Sequence, residues 1–223
     1  MHFDQFAGNY KQVLDRSLAA SGEDSAFFAE YKARYLARTL REAPPAKVLD
    51  FGCGVGLLSG FMQKHFGPLW LDGFDVSSSS IGQVPPKLTE SGVFTSDPQQ
   101  LSRDYDLIVI ANVLHHVPPE QRHHTVRELA GRLVPGGKIA GFEHNPANPL
   151  TRWTVDHCPF DEDAILLPPA EAASYLTAAG LHIVRRDYIV FMPRPLAWLR
   201  PLERWLTWLP LGAQFVVIGE KHG

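Results

Sequence analysis

Asp50, Gly52, Gly54 and Gly56 fall within seven consecutive residues, Asp50-Phe51-Gly52-Cys53-Gly54-Val55-Gly56, directly after apolar Val48-Leu49. Alternating glycines permit a tight turn and let the backbone approach a ligand, because no Cβ stands in the way. A second carboxylate, Asp75, ends the next apolar run, Trp70 to Phe74. A carboxylate at such a place can accept both hydroxyl protons of a ribose. His115, His116 and His144 follow two later apolar runs, and neutral imidazole is suited to removing a hydroxyl proton near neutral pH. These residues describe a site that holds a nucleoside and handles a proton.

The spacing narrows the nucleoside. A dinucleotide loop reads G-x-G-x-x-G, with a helix N-terminus facing the pyrophosphate. Counted from Gly52, its third glycine falls at Leu57. Asp50 would repel a pyrophosphate but suits an ammonium. S-adenosylmethionine carries an ammonium, a ribose and no phosphate, and is the cofactor this turn favours.

The elements that must position these groups alternate along the chain. Helical spacing over Phe3–Leu18 and Ser25–Arg41 ends at Ala43-Pro44-Pro45. Strands are predicted at Lys47–Phe51, Trp70–Phe74, Gly92–Thr95, Tyr105–Ala111, Lys138–Glu143, Leu181–Phe191 and Gln214–Glu220. Helices are predicted at Leu57–His65, Ser78–Gly82, Pro119–Leu133 and Ala170–Ala179, with Pro135-Gly136-Gly137 closing the third. Residues Asn145 to Leu167, with Pro146, Pro149 and Pro159, read as an irregular insertion over the strand ends. Leu107-Ile108-Val109-Ile110 is apolar on both faces, as a central parallel strand requires. The alternation predicts an α/β, doubly wound, mostly parallel sheet with helices on both faces. No crossover-helix pattern joins the last two strands, which suits an antiparallel last strand.

A chain of 223 residues fits one domain, with 1–43 as an N-terminal helical cap, 44–144 as the cofactor-binding core and 145–223 as the acceptor side. Net charge is −3 and no basic cluster forms a phosphate-binding stripe, so nucleic acid is excluded as a substrate. The start, Met1-His2-Phe3-Asp4, lacks the regions of a signal peptide, and no apolar run reaches the roughly 18–20 residues that span a bilayer. The two cysteines, Cys53 and Cys158, make neither a disulfide framework nor a ligand spacing, so a cytoplasmic setting is the default and no metal is assigned.

The glycine turn closely resembles motif I of the class I S-adenosylmethionine-dependent methyltransferases. Asp106 to Val117, ending Leu114-His115-His116-Val117, resembles the fourth-strand motif of that family, and Leu133 to Lys138 resembles its loop before strand five. Phe3-Asp4-x-x-Ala7-x-x-Tyr10 is similar to the N-terminal helix of its ubiquinone- and menaquinone-biosynthesis type members. The likeness covers residues 1–145 and implies a Rossmann-like seven-stranded sheet with an antiparallel last strand. It implies cofactor contacts at Asp50, Gly52, Cys53, Gly54, Asp75, Val76 and Asn112, with Asp97 on the adenine amino group. Tyr10 would cover the cofactor and Lys32 would meet its carboxylate, although a solvated helix-face lysine suits the sequence equally. Helix capping by Ser96 or Asp97 stays open beside the adenine contact.

Methyl transfer from a sulfonium is an in-line displacement in which positioning contributes up to about 7–11 kcal/mol. A base adds roughly 10²–10⁴-fold for a hydroxyl acceptor. His116 is the leading candidate for that base and His144 the next, while His115 and Trp153 are expected to contact the acceptor. Packing or orienting roles remain open for each histidine.

The stretch from Pro195 to Pro210 carries three tryptophans and places Leu199, Leu202, Trp205, Leu206 and Leu209 on one helical face. A lid, a dimer contact and an interfacial helix on a membrane compete there, with core packing the plainest role for the leucines. The expected activity is methylation of a small or lipid-like acceptor, most readily at oxygen, by a monomer or homodimer. Nitrogen or carbon acceptors and a non-catalytic S-adenosylmethionine-binding protein are the alternatives.

Overall fold

The computed structural model describes residues 15, 18, 22–158, 161 and 163–223. Its seven-stranded sheet has the order β3-β2-β1-β4-β5-β7-β6. Strands β1 (Lys47–Phe51), β2 (Trp70–Phe74), β3 (Phe94–Thr95), β4 (Tyr105–Ala111) and β5 (Leu133–His144) run parallel. β7 (Gln214–Lys221) lies antiparallel between β5 and β6 (Leu181–Ile189).

Successive residues of the central strands feed two separate cores. Leu49, Ile108 and Ile110 pack with Val126, Leu129 and Leu176 on one face. Val48, Leu107 and Val109 pack with Ala33, Leu36 and Met62 on the other. The first face is covered by α5 (Pro119–Gly131) and α7 (Pro169–Ala178), the second by α1 (Ser25–Thr39) and α2 (Leu57–Phe66). Strands buried on both sides explain why the sequence there is continuously apolar rather than alternating. Asp24 starts α1, its side chain accepting from the Phe27 N–H at 2.9 Å.

Four expectations are corrected. The third strand is two residues long, followed by no more than a 3-10 turn at Pro98–Gln100. β5 begins at Leu133, because Leu133 pairs with Tyr105 and a register shift absorbs Pro135-Gly136-Gly137 within the strand. The stretch read as irregular contains a helix that Pro149 opens, and Pro86 opens another short helix. In chain order these short helices are α3 (Ser78–Ile81), α4 (Pro86–Thr89) and α6 (Pro149–Asp156), the last capped by Asn148 accepting from Thr151 N–H at 3.0 Å.

The fourth correction concerns the tryptophan-rich stretch. It forms a 3-10 helix, Arg194–Trp205, kinked at Leu196 and containing Pro201. Of the expected apolar face, Leu199, Leu206 and Leu209 are half-buried and Leu202 and Trp205 exposed. Glu203 is buried while Leu202, Trp198, Trp205 and Trp208 are exposed. Glu203 is satisfied inside, accepting from Tyr31 Oη at 2.7 Å, Met192 N at 2.8 Å and Phe191 N at 3.1 Å. Among the described residues no helix is long and apolar enough to cross a membrane.

Candidate functional site

A cleft of about 730 Å³ opens at the carboxyl ends of β1, β2, β4 and β5. The glycine turn forms its floor. Gly52 has φ +80°, and a Cβ there would stand 2.3 Å from Val113 Cγ2, so only glycine fits. The amides of Gly52 and Cys53 donate to Phe74 O at 2.7 and 3.0 Å, folding the turn onto β2. Asp75 completes it, accepting from Gly54 N at 2.8 Å through Oδ2 and from Ser77 N at 2.9 Å through Oδ1. These bonds fix the orientation of a group that offers about four acceptor positions.

Asp50 is buried at the end of β1 and accepts from Ser59 Oγ at 2.6 Å. Burial pushes its pKa up to about 6. Lys32, only 5% exposed, lines the same cleft from α1. The solvated helix-face reading of Lys32 is therefore overturned. Burial brings its pKa down to about 8, with Glu143 and Asp50 opposing that shift, so it is still mostly an ammonium at pH 7. Asn112 adopts a left-handed φ of 59°, and its buried Oδ1 has no hydrogen-bond partner among the described residues. A strained backbone beside an unsatisfied buried acceptor, lining a cleft, is a place for a ligand donor.

The histidines form one electrostatic unit. Glu143 Oε2 lies 2.5 Å from His115 Nδ1, and Glu143 Oε1 accepts from Leu114 N at 2.8 Å. Asp161 Oδ1 lies 3.4 Å from both His115 Nε2 and His116 Nε2. At His115 this is close enough for charge attraction but is not aligned as a hydrogen bond, and among the described residues Nε2 has no such partner. The His115 ring centroid is 4.1 Å from that of His116 and 5.2 Å from that of His144. Burial alone would lower the His115 pKa, but Glu143 and Asp161 outweigh it and hold the group up at about 9. Burial, reinforced by the His115 cation, takes His116 and His144 down to about 4. Burial alone would raise both carboxyls, yet His115 keeps Glu143 and Asp161 below their ordinary values. At neutral pH the cleft thus presents one imidazolium between two carboxylates and two neutral imidazoles. Donor atoms of His115, His144 and Asp161 lie within 4.8 Å of one another, a spacing an ion could bridge, but the His115 cation already balances charge there.

The other expected site residues divide. Gly52, Cys53, Gly54 and Val76 line the cleft, Val76 openly exposed. Cys53 is buried, which pushes its thiol pKa far up and leaves it unreactive. Asp97 is exposed, does not line the cleft, and caps the 3-10 turn by accepting from Gln99 N at 2.9 Å. Trp153 faces outward, stacked on His157 at 4.6 Å, while Thr154 and Cys158 of the same segment line the cleft. Tyr10 lies outside the described residues. Sequence reasoning missed Glu143 and Asp161. Glu143 was legible as a charged residue ending a buried strand; Asp161 is brought in by the insertion and had no local signal.

Residues 25–186 match the family model described as "Methyltransferase domain". A ubiquinone biosynthesis O-methyltransferase from an Azoarcus species is 30% identical over 173 residues, spanning 66% of this chain and 69% of that protein. One of the same description from Coxiella burnetii is 33% identical over 173 residues, spanning 66% and 68%. Magnesium protoporphyrin IX methyltransferase from Synechocystis, solved with bound S-adenosylhomocysteine, is 18% identical and superposes with a TM-score of 0.67 over 98% of this chain and 96% of its own.

Proposed function

This chain belongs to the methyltransferase-domain family and is an S-adenosylmethionine-dependent methyltransferase; on that premise we propose that it methylates a hydroxyl of a small, lipid-like acceptor. The curated relatives, named as O-methyltransferases of ubiquinone biosynthesis, support oxygen and an apolar acceptor. Leu129, Val113 and Phe28 on the cleft wall suit such a molecule. We read residues 1–223 as one domain, which the single sheet with strands from both halves supports.

The residues of the cleft fit the cofactor. The glycine turn leaves room for a nucleoside, Asp75 would accept from its ribose hydroxyls, and the unsatisfied Asn112 Oδ1 would receive a donor. Asp50 and Lys32 would face the ammonium and the carboxylate of the amino-acid end. Once bound, the cofactor supplies an electrophilic methyl group on a sulfonium.

His116 or His144 would accept the hydroxyl proton. Both are neutral at working pH, so either presents a lone pair. A base of pKa about 4 is weak toward a resting hydroxyl, but oxyanion charge developing beside it raises its proton affinity. The His115 cation, fixed by Glu143, would stabilise that developing charge before the bond to methyl is complete. Asp161, 3.4 Å from His116 Nε2, would stabilise the imidazolium that results.

The observation that carries this reading is the packing of His116 and His144 around buried His115, itself 2.5 Å from Glu143, in one cleft with the glycine turn. His116→Ala should lower kcat by roughly 10²–10⁴-fold and leave S-adenosylhomocysteine affinity unchanged. Full activity would move the base role to His144 or leave positioning alone as the source of rate.

A further inference from the structure

The 3-10 segment and its continuation display their tryptophans instead of burying them. Trp198 is 76% and Trp208 73% exposed, and Trp205 and Leu211 are mostly exposed as well. The polar side of the same segment is the anchored side. Buried Glu203 accepts from Tyr31 of α1 and from the Phe191 and Met192 amides. Arg200 pairs with Glu23 and lies over the Phe27 ring at 4.2 Å. Tyr188 N–H donates to Thr207 O at 2.7 Å, tying the segment to β6. The display is therefore held rigid.

A second apolar edge adjoins it. Asn148, which caps α6, donates through Nδ2 to Leu211 O at 2.8 Å, and Thr151 Oγ1 donates to Ala213 O at 2.9 Å. α6, which carries exposed Leu150 and Trp153, is thus tied to the backbone at exposed Leu211. Charge completes the picture. Between Pro193 and Ala213 the only acid is Glu203, which is buried, whereas Arg194 and Arg204 are exposed; Arg194 donates to Gly22 O at 3.3 Å and shares a surface hollow with Glu23, the partner of Arg200, and with exposed Asp24, which leaves Arg204 as the cation clear of any acid among the described residues. Arg204 sits over the Trp205 ring at 4.0 Å. α6 adds Arg152 and Asp156, and so no net charge.

We infer that Arg194–Leu211, with Leu150 and Trp153 at its edge, is a docking surface for a lipid bilayer bearing anionic headgroups. Tryptophans settle at the headgroup level, where one end of the ring is wet and the other apolar, and interleaved arginines meet anionic lipid. α6 is the hinge of the geometry: its outer side carries Leu150 and Trp153, while Thr154 and Cys158 near its end line the cleft. Docking brings the acceptor side of the cleft to the bilayer. The purpose of the surface rests on the lipid-like acceptor proposed above, but its test needs no methyl transfer.

The full chain should float with vesicles of phosphatidylcholine plus phosphatidylglycerol, bind phosphatidylcholine vesicles more weakly, and shift its tryptophan emission to the blue. The variant Trp198→Ser/Trp205→Ser/Trp208→Ser should weaken vesicle binding by at least about tenfold. Arg194→Glu/Arg204→Glu should abolish the preference for anionic lipid. All three residues of the first variant are exposed, and unchanged S-adenosylhomocysteine affinity in calorimetry would verify that it folds. Wild-type protein that stays with the unbound fraction, or a triple variant that floats as well, overturns the inference. A mass of two chains in solution that falls to one in the triple variant assigns the surface to a second copy instead. Loss of cofactor binding in the wild type would count against the methyltransferase reading and leave vesicle binding unaffected.

Discussion

Replacing Asp75 by asparagine tests the ribose site with a magnitude fixed by the structure. The carboxylate accepts from Gly54 N and Ser77 N through different oxygens. Asparagine keeps one acceptor and turns an amide N–H₂ toward the other backbone donor, so the variant loses the charge and loosens one side of the turn. Hydrogen bonds to a charged group contribute about 1.5–3 kcal/mol each. Loss of one ribose hydroxyl bond alone then weakens binding by roughly ten- to 150-fold, at about 1.4 kcal/mol per factor of ten. Calorimetry with S-adenosylhomocysteine measures it. A 2′-deoxy analogue separates the ribose contact from the loosened turn: its penalty should be large in the wild type and nearly vanish in Asp75→Asn. Affinity within about threefold of wild type, or an undiminished deoxy penalty, would remove Asp75 from the ribose site.

Glu143→Gln should destabilise the fold by about 3–5 kcal/mol in urea denaturation, because it leaves the buried His115 cation with half its support. His115 is raised to about 9 in the fold, so its stabilisation is complete below its ordinary value near 6.5 and fades as pH climbs through 9. That alkaline loss should shrink in Glu143→Gln; an identical loss in both proteins would place its source elsewhere. With cofactor saturating, kcat should hold steady as pH falls from 7 toward 5 and drop only near 4, where His116 and His144 become protonated. An inflection near 6.5 would mean that the working imidazole titrates as an ordinary exposed histidine.

Much of the sheet was legible because parallel strands buried on both faces are written as continuous apolar runs. Lys47–Phe51, Trp70–Phe74 and Tyr105–Ala111 are observed with the expected ends. The glycine turn was equally plain, since Gly52 occupies a space in which any Cβ would strike Val113. Legibility failed where tertiary contacts override local pattern. In the tryptophan-rich stretch, where lid, interface and core packing compete on sequence alone, Leu202 and Trp205 are exposed and Glu203 is buried, because Tyr31 and two backbone amides satisfy that carboxylate inside. Pro149 stands in a stretch that reads as irregular, yet it opens a helix because Asn148 caps it. The histidine motif was visible as three residues, but the charge that distinguishes His115 from His116 comes from Glu143 and Asp161. No spacing rule links Asp161 to a strand end dozens of residues earlier.

Oxygen methylation of a lipid-like acceptor is tested most plainly by methyl transfer from isotope-labelled S-adenosylmethionine into a lysate of the source cell, extracted into organic and aqueous phases. Label is expected in the organic phase, in a product whose methyl group is carried as an ether on oxygen. Label on nitrogen or carbon, or confined to the aqueous small-molecule fraction, would contradict the proposed acceptor. An absence of label in either phase, with cofactor binding intact, would contradict transfer to any acceptor that the lysate contains.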